Sequence, residues 1–276
     1  MKPSFLVIIR TYRRPKLVQR LLQDIYEQRD PAEREIRVWT FDDGTPPEAS
    51  ASHRERGAVM RPWTGESWFQ LAHHGKKRAW MLYNYIFRTV KDDRTKRSKN
   101  GHDPEAQHYV FLDDDLRLCR SFFPRLLEVW ETLPPNRTTL QLMLDGDRGP
   151  GPCWTNFPPR DAGPHARRTQ WVDGAFLCKA RFFERLDGHM QPIPLSRWER
   201  QPERSTGFGE QVSHRLNNCA SGLYQVKRSL VVHANTKSLL NPRMREKHAL
   251  QAVNFIDGED RARLLSRALL EDDSSR

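Results

Sequence analysis

The chain has 276 residues, 37% hydrophobic and 10% aromatic, which is enough to bury a substantial core in one large domain or two small ones. Its 46 lysines and arginines outnumber its 35 aspartates and glutamates, and the net charge of +11 favours an anionic partner such as nucleic acid, anionic lipid or a phosphorylated substrate. The cysteines at 119, 153, 178 and 219 form no CxxC pair, which argues against a zinc ribbon or a disulfide scaffold. The apolar run Phe5–Ile9 is too short for a signal peptide and no segment reaches membrane length, so we expect a cytoplasmic protein without a transmembrane segment.

The first 41 residues predict a βαβ unit. Phe5–Ile9 is typical of a buried strand, Lys16–Gln28 has the spacing of an amphipathic helix, and Ile36–Phe41 is a second strand. This succession implies a parallel sheet with a right-handed crossover. Ligands of such sheets bind beyond the carboxyl ends of the strands, where the loops Arg10–Arg14 and Asp42–Thr45 lie.

Residues 45–75 are rich in turn-forming residues. We expect a short strand at Ala58–Arg61 and a helix over Gly75–Val90, whose first turn carries Lys76, Lys77 and Arg78. Cations oppose the helix dipole there, so this turn is either an anion site or a basic solvated face. The segment Lys91–Gln107 has no hydrophobic pattern and predicts an exposed, mobile loop.

Three aspartates follow a central apolar strand. Tyr109–Leu112 suits a strand buried on both faces, and it continues directly into Asp113, Asp114 and Asp115. If the strand geometry continues, Asp113 and Asp115 point to one side and Asp114 to the other. Two carboxylates side by side form a half-site for Mg²⁺ or Mn²⁺, and a solvated acidic turn is the alternative.

The second half continues the α/β pattern less regularly. The predicted elements are a helix at Ser121–Leu133, a strand at Thr139–Leu144, a loop at Gly146–Pro164, a strand at Gln170–Cys178 with a short helix to Leu186, an irregular segment at Gln191–Ser205, a helix at Gln211–Asn218, a strand within Tyr224–His233, and two tail helices, around Ala249–Ile256 and around Leu264–Leu269.

Several motifs together resemble the family 2-type glycosyltransferases with the GT-A fold. They are FLVIIRTYRRP, FDDGT, GKKRAWMLYN and YVFLDDDL, followed more loosely by WVDGAFLCKARFFERLDG, GFGEQVSHRL and VVHANTKS. The resemblance implies an α/β, Rossmann-type, mostly parallel central sheet flanked by helices, with an irregular helical C-terminal part. The corresponding domain would cover residues 1–240, with a nucleotide-sugar-binding half at 1–120 and an acceptor-side half at 121–240, before a helical tail at 241–276.

The resemblance also implies roles for individual residues. The residues implied to bind the donor nucleotide are Thr11, Tyr12, Arg13, Asp43 or Asp42, Gly75, Lys76, Arg78, Asp113 and Asp114, and Asn84 matches an asparagine common in that helix of the family. Asp113 and Asp115 match the DxD motif that holds Mn²⁺ or Mg²⁺ on the donor diphosphate. His233 matches a further metal ligand of some related enzymes, although a structural histidine is the commoner case.

The catalytic carboxylate is less well marked. Trp171, Asp173 and Gly174 match the segment below the transferred sugar, and Glu210 lies where the family places its base. The family usually has Glu-Asp there, whereas this chain has Glu210-Gln211, so Glu210 is the base alone or Asp173 takes that role. A glutamate in the first turn of a helix, stabilised by the dipole, is the structural alternative for Glu210.

These expectations describe a metal-dependent, inverting transfer of a sugar from a nucleotide sugar, a UDP-sugar first, to a hydroxyl. The positive charge favours an anionic acceptor. One candidate is a hydroxylated base in DNA, flipped out to stack on Trp63, Trp68 or Trp154, with the arginines at 197, 200 and 204 on phosphates. A glycan or lipid-linked acceptor, a nucleotidyltransferase, and a nucleic-acid-binding module without activity are the alternatives. The sequence does not determine the oligomeric state.

Overall fold

The computed structural model describes residues 2–28, 30, 33–44, 66–103, 106–144, 160–199, 202, 204–233 and 254–265. Its strands are β1 (Ser4–Thr11), β2 (Glu35–Asp42), β3 (Glu66–Gln70), β4 (Gln107–Asp113), β5 (Leu116–Leu118), β6 (Arg137–Gln141), β7 (Ala166–Arg168), β8 (Phe176–Cys178), β9 (Gly222–Val226) and β10 (Val231–His233). Its α-helices are α1 (Pro15–Glu27), α2 (Ala79–Lys99), α3 (Phe122–Glu131), α4 (Ala180–Arg185), α5 (Ser196–Glu199) and α6 (Phe208–Asn218), and a 3-10 turn at Lys76–Arg78 precedes α2.

Eight strands form one mixed sheet in the order β3-β2-β1-β4-β8-β6-β9-β7. The first four of these strands are parallel to one another, whereas β8 is antiparallel to β4 and β6, and β7 is antiparallel to β9. The strands β5 and β10 form a separate antiparallel pair. The expected α/β fold with a mostly parallel sheet is confirmed, and the carboxyl ends of β1, β2 and β4 lie at one edge.

The central strands are apolar because both of their faces are covered. Along β1, Phe5, Val7 and Ile9 belong to the core packed by α1 and α3, while Leu6 and Ile8 belong to the core packed by α2 and α6. The strand β4 alternates in the same way. Continuous apolar runs are what a sheet buried on both sides requires.

The helix α2 continues to Lys99, so the prediction of a loop over Lys91–Gln107 was wrong. Its polar second half is fixed by ion pairs rather than by apolar burial. Asp93 binds Arg37 at 2.7 Å, Arg94 binds Glu184 at 3.0 Å, and Arg97 binds Glu35 at 3.1 Å. Three basic residues in its last turn also favour the negative end of the helix dipole.

Other boundaries differ from the sequence predictions. The helix expected from Gly75 begins at Ala79, and of the strand expected at Gln170–Cys178 only Phe176–Cys178 forms. The strand β3 was not predicted, and Ala58–Arg61 lies outside the described residues, as do 145–159.

In the tail, residues 254–256 are not helical; Phe255 bridges Ser229 instead, and residues 259–265 are helical. Within the described ranges, no helix combines the length and the apolarity needed to cross a bilayer.

Candidate active site

The carboxyl ends of β1 and β4 bring Arg10 beside Asp113. These two residues are partners in the strand register, and the Arg10 guanidinium forms an ion pair with Oδ1 of Asp113. The strand ends at Asp113, and the next two residues form a turn. The strand alternation therefore stops at the first aspartate.

Arg14 binds the other two aspartates together. Its Nη1 lies 3.3 Å from Oδ1 of Asp114 and 2.7 Å from Oδ2 of Asp115, and the hydroxyl of Thr11 donates to Oδ2 of Asp114 at 2.8 Å. The expectation that Asp114 points away from Asp115 was wrong, because in a turn these residues reach the same guanidinium. Thr11 and Arg14 are both buried, and their contacts fix the position of the turn.

His233 lies beside the same turn. The antiparallel pairing of β10 with β5 sets His233 opposite Leu116, and its Nε2 lies 3.3 Å from Oδ1 of Asp115. Its Nδ1 is buried and has no hydrogen-bond partner among the residues that the structure describes. The predicted third metal ligand is thus next to the predicted second one.

Charge is crowded in this group. Burial raises the pKa of Asp113 to about 6, even though 35% of its side chain is exposed. The positive charge of Arg10 opposes this shift, and the negative charge of Asp115 adds to it. Burial likewise raises the pKa of Asp114 to about 7. At Asp115 burial also acts upward, but the charges of His233 and Arg14 hold the pKa below its usual value. Asp115 is therefore the carboxylate of this turn that ionises first.

Asp173 faces the group from the opposite half of the sheet. Its Oδ1 accepts the backbone N–H of Gly174 at 2.9 Å, and Gln141 binds both its N–H and its carbonyl. A Cβ added to Gly174 would lie 3.5 Å from Oδ2 of Asp113, and one added to Gly209 would lie 2.6 Å from Cγ of Asp173. Two glycines thus leave room for the carboxylates of Asp113 and Asp173, whose charges interact.

Glu210 lies in the first turn of α6 and pairs with an arginine. Its Oε2 is 2.7 Å from Nη1 of Arg197, and 41% of its side chain is exposed. The neighbouring Gln211 exchanges two hydrogen bonds with the backbone of Gln191. The carboxylate of Glu210 is therefore ion-paired, and Gln211 carries an amide whose two ends both bind backbone.

Asp43, at the end of β2, organises the loop before α2. Its Oδ1 accepts from the backbone N–H of His74 at 3.0 Å and lies 2.6 Å from His74 Nδ1, while its Oδ2 accepts from Gly75 N–H at 3.3 Å. Gly75 has φ +62°, which a side chain would strain. The ring of His73 stacks on Tyr12 with centroids 4.2 Å apart. This loop therefore joins the ends of β1 and β2.

A cleft of about 570 Å³ opens at this loop, and we call it the cationic cleft. It is lined by His73, His74, Gly75, Lys76, Lys77, Arg78, Trp198 and Pro202. Lys76 Nζ donates to the carbonyl of Pro202 at 2.6 Å, so the loop before α2 contacts the residues that follow α5, the short helix that contains Arg197. The predicted basic turn therefore faces a cleft.

The remaining predicted residues are more scattered. Arg13 lies over the ring of Tyr12 at 5.1 Å, Asn84 binds the backbone of Met190, and Asp42 is buried. The N–H of Trp171 donates to Thr169, and Trp68 on β3 is 38% exposed. The residues Trp63, Trp154 and Arg200 lie outside the described part of the chain.

Sequence reasoning did not assign the observed contacts of five residues of the site, Arg10, Arg14, His73, His74 and Arg197, the last of which it placed on DNA phosphates. A signal existed for the first, since an arginine ending the apolar run FLVII must pair with an acid once the strand is buried. No local pattern marked the other four.

The aspartate turn fits a divalent cation that a substrate completes. Within the described ranges, no three His, Cys, Asp or Glu side chains are grouped as a metal site of their own. Magnesium in phosphate-binding enzymes is usually held by one or two carboxylates together with substrate phosphates. Arg10 engages Oδ1 of Asp113, and Nε2 of His233 lies 3.3 Å from Oδ1 of Asp115. Carboxylate oxygens and an imidazole nitrogen are ligands that Mg²⁺ or Mn²⁺ accepts in proteins.

The eight-stranded mixed sheet flanked by helices is shared with solved structures of the GT-A type, so the expected GT-A-like fold is confirmed. The chain is similar to the crystal structure of S. aureus TarS 1-349 in complex with UDP-GlcNAc, with TM-score 0.55 and 13% identity over 87% of this chain and 60% of that one. It is also similar to the mannosyltransferase PcManGT from Pyrobaculum calidifontis in complex with GDP-Man and Mn²⁺, with TM-score 0.50 and 17% identity over 81% of this chain. The chain covers 54–61% of the length of these structures and of TarS 1-349 without ligand.

No protein-family model matches the sequence, and no curated protein matches it either. At 13–17% identity the similarity establishes the fold. Membership of family 2 stays a prediction.

Proposed function

We propose that the protein is a metal-dependent glycosyltransferase that moves a sugar from a nucleoside-diphosphate sugar to a hydroxyl group with inversion. One observation carries the proposal: the paired aspartates at the end of β4 lie at the edge that also holds the Asp43 loop with its cationic cleft, while Asp173 faces Asp113 from the other half of the sheet. Such a transfer needs a site for the donor nucleotide, a cation on its diphosphate and a general base for the acceptor hydroxyl.

The donor nucleotide is assigned to the ends of β1 and β2. The stacked rings of Tyr12 and His73 offer a face for a base, and Lys76, Lys77 and Arg78 provide charge for phosphates. Both solved structures named above contain a nucleotide sugar, which supports this class of donor. A UDP-sugar is the first choice and a GDP-sugar the second.

Asp113 and Asp115, with His233 beside them, would hold Mn²⁺ or Mg²⁺. When bound, the cation supplies Lewis-acid neutralisation of the charge that builds on the leaving diphosphate. The chain's own part is to keep this turn fixed. Arg14 and Thr11 fix the turn through three polar contacts with Asp114 and Asp115.

Asp173 is the proposed general base. It lies near Asp113 and against the first turn of α6, where Gly209 leaves room for its side chain. Its backbone is fixed by Gln141, so the carboxylate has a defined position. Glu210 is the weaker candidate because Arg197 holds its carboxylate. A single displacement assisted by a base inverts the configuration at the sugar carbon.

The acceptor is proposed to be anionic, with a hydroxylated base in DNA considered first. The net charge of +11 and the exposed lysines of α2 at 91, 96 and 99 support this choice. Transfer to DNA should weaken steeply as salt rises, since each phosphate contact releases counterions. Transfer that is insensitive to salt would point to a glycan or lipid-linked acceptor instead.

A thermal-shift panel tests the central proposal. UDP-GlcNAc, UDP-glucose, GDP-mannose and UTP are each added with and without Mn²⁺ to the wild type, to Asp113→Asn and to the exposed-site control Asp92→Asn. A ligand at about 100 times its Kd stabilises the fold by about 2.7 kcal/mol, which is readily measured. We expect one nucleotide sugar to raise the midpoint only with Mn²⁺, in the wild type and the control but not in Asp113→Asn. No shift from any sugar, or a shift from UTP alone, would contradict the proposal.

A further inference from the structure

Arg10 is an unusual residue for its place in the sheet. It follows the apolar run Phe5–Ile9 of β1, and only 16% of its side chain is exposed. Its guanidinium carbon lies 4.8 Å from the ring centre of Tyr83 and 5.8 Å from that of Phe208. These two rings stack on each other at 3.5 Å. Two aromatic rings therefore keep the positive charge at the end of the strand.

The same guanidinium occupies one oxygen of Asp113. Oδ1 of Asp113 is engaged by Arg10, whereas Oδ2 lies on the side of Gly174, 3.5 Å from the place that a Cβ of that glycine would take. Asp113 can then offer one oxygen to a cation, not two. Any cation bound there would also lie within a few ångströms of a fixed positive charge.

We infer that Arg10 is a resident cation that competes with the metal ion for Asp113 and makes metal binding depend on the nucleotide. The inference rests on the proposed function, because it concerns the same aspartate turn. Repulsion between Arg10 and a divalent cation lowers the affinity of the empty site. A diphosphate brings negative charge that attracts both cations and adds ligands to the metal. Metal and donor are then bound together, and neither is held firmly alone.

Electron paramagnetic resonance of Mn²⁺ tests this directly, since the signal of the free aquo ion is lost on binding. Mn²⁺ is titrated into the wild type, Arg10→Met and Arg10→Lys, each without nucleotide and with UDP or GDP. At a pH high enough to keep Asp113 ionised in both proteins, we expect Arg10→Met to bind Mn²⁺ about tenfold more tightly than the wild type without nucleotide, because the repulsive charge is gone. The gain in Mn²⁺ affinity on adding nucleotide should shrink by a similar factor.

Two controls separate charge from structure. Arg10→Lys keeps the charge and should stay within about threefold of the wild type, as should the exposed-site variant Arg181→Met. In an Asp113→Asn background, Arg10→Met should no longer tighten Mn²⁺ binding. If Arg10→Met fails to fold by circular dichroism, Arg10→Gln removes the same charge.

The outcomes also separate this inference from the proposed function. Unchanged or weaker Mn²⁺ binding in the folded neutral variants overturns the role of Arg10, whatever the nucleotide does. If neither UDP nor GDP increases Mn²⁺ binding to the wild type, the proposed donor site fails, and the titrations without nucleotide still decide whether Arg10 competes.

Discussion

Arg197 lies 2.7 Å from Glu210, so the residue that the sequence marks as the base is held in an ion pair. Glu210 could act as a base only after Arg197 released it. Asp173 lies near Asp113, whose pKa it raises, and Gln141 fixes its backbone. We therefore propose Asp173 as the base, which leads to the first prediction.

Asp173→Asn should lower the turnover of the donor by about 10²–10⁴-fold, which is the usual contribution of a general base. Glu210→Gln should lower it by less than about tenfold. Turnover is measured as nucleoside diphosphate released from the donor, and binding of the nucleotide with Mn²⁺ is measured in parallel as a control. The reverse order of the two effects would assign the base to Glu210.

Gly209→Ala should misplace Asp173. The new Cβ would lie 2.6 Å from Cγ and 2.7 Å from Cβ of Asp173, so rotation of the side chain cannot relieve the contact and the local backbone must shift. A displacement of about 1 Å at a reacting group costs about 10²-fold in rate. The helix propensity of alanine, up to about 1 kcal/mol over glycine, offsets part of this strain, so we expect a small fall in the midpoint beside the large fall in turnover.

The control for this variant is Ser98→Ala, an exposed position on α2. It should change neither turnover nor midpoint. Wild-type turnover in Gly209→Ala would show that the position of Asp173 is unimportant.

Asp43→Asn should weaken nucleotide binding through the loop before α2. The amide cannot accept both from His74 and from Gly75, so one N–H loses its acceptor, at a cost of about 1–3 kcal/mol. We expect an affinity for the nucleotide with Mn²⁺ that is about tenfold lower or more, measured by calorimetry. Asp92→Asn is the matched control, and unchanged affinity in Asp43→Asn would separate this loop from the donor site.

His108 should make the fold sensitive to acid. Burial, with smaller contributions from the charges of Lys179 and Arg137, lowers its pKa to about 4 from the ordinary 6.5. Between these values the unfolded chain binds a proton that folded His108 does not, so the free energy of unfolding falls as pH falls from 6.5 to 4. The full loss is about 3 kcal/mol.

Urea unfolding at pH 7 and near pH 4 checks this effect. His108 packs against Phe5 and Trp130, so a phenylalanine ring can take its place. The His108→Phe variant should lose less stability between the two pH values than the wild type does. His102→Gln, at an exposed position, should lose as much as the wild type. Equal losses in His108→Phe and wild type would remove His108 as the cause.

The local part of the fold was predictable. The apolar runs of β1 and β4 and the spacing of Leu17, Leu21 and Ile25 in α1 are period signals that a single segment carries. The loop predicted over Lys91–Gln107 was wrong because ion pairs to Arg37, Glu35 and Glu184 replace an apolar face there. Such partners are remote in sequence, so periodicity does not reveal them.

The sequence by itself determined that an α/β sheet carries acids at the ends of its central strands. Only the tertiary structure decided which cation meets which acid: Arg10 reaches Asp113 across 103 positions, and Arg14 reaches Asp115 across 101. Backbone periodicity is encoded within a few residues, whereas an ion pair between strand ends exists only once the sheet has brought them together. That is also why the glycines at 174 and 209 were not recognised as the positions that leave room for Asp113 and Asp173.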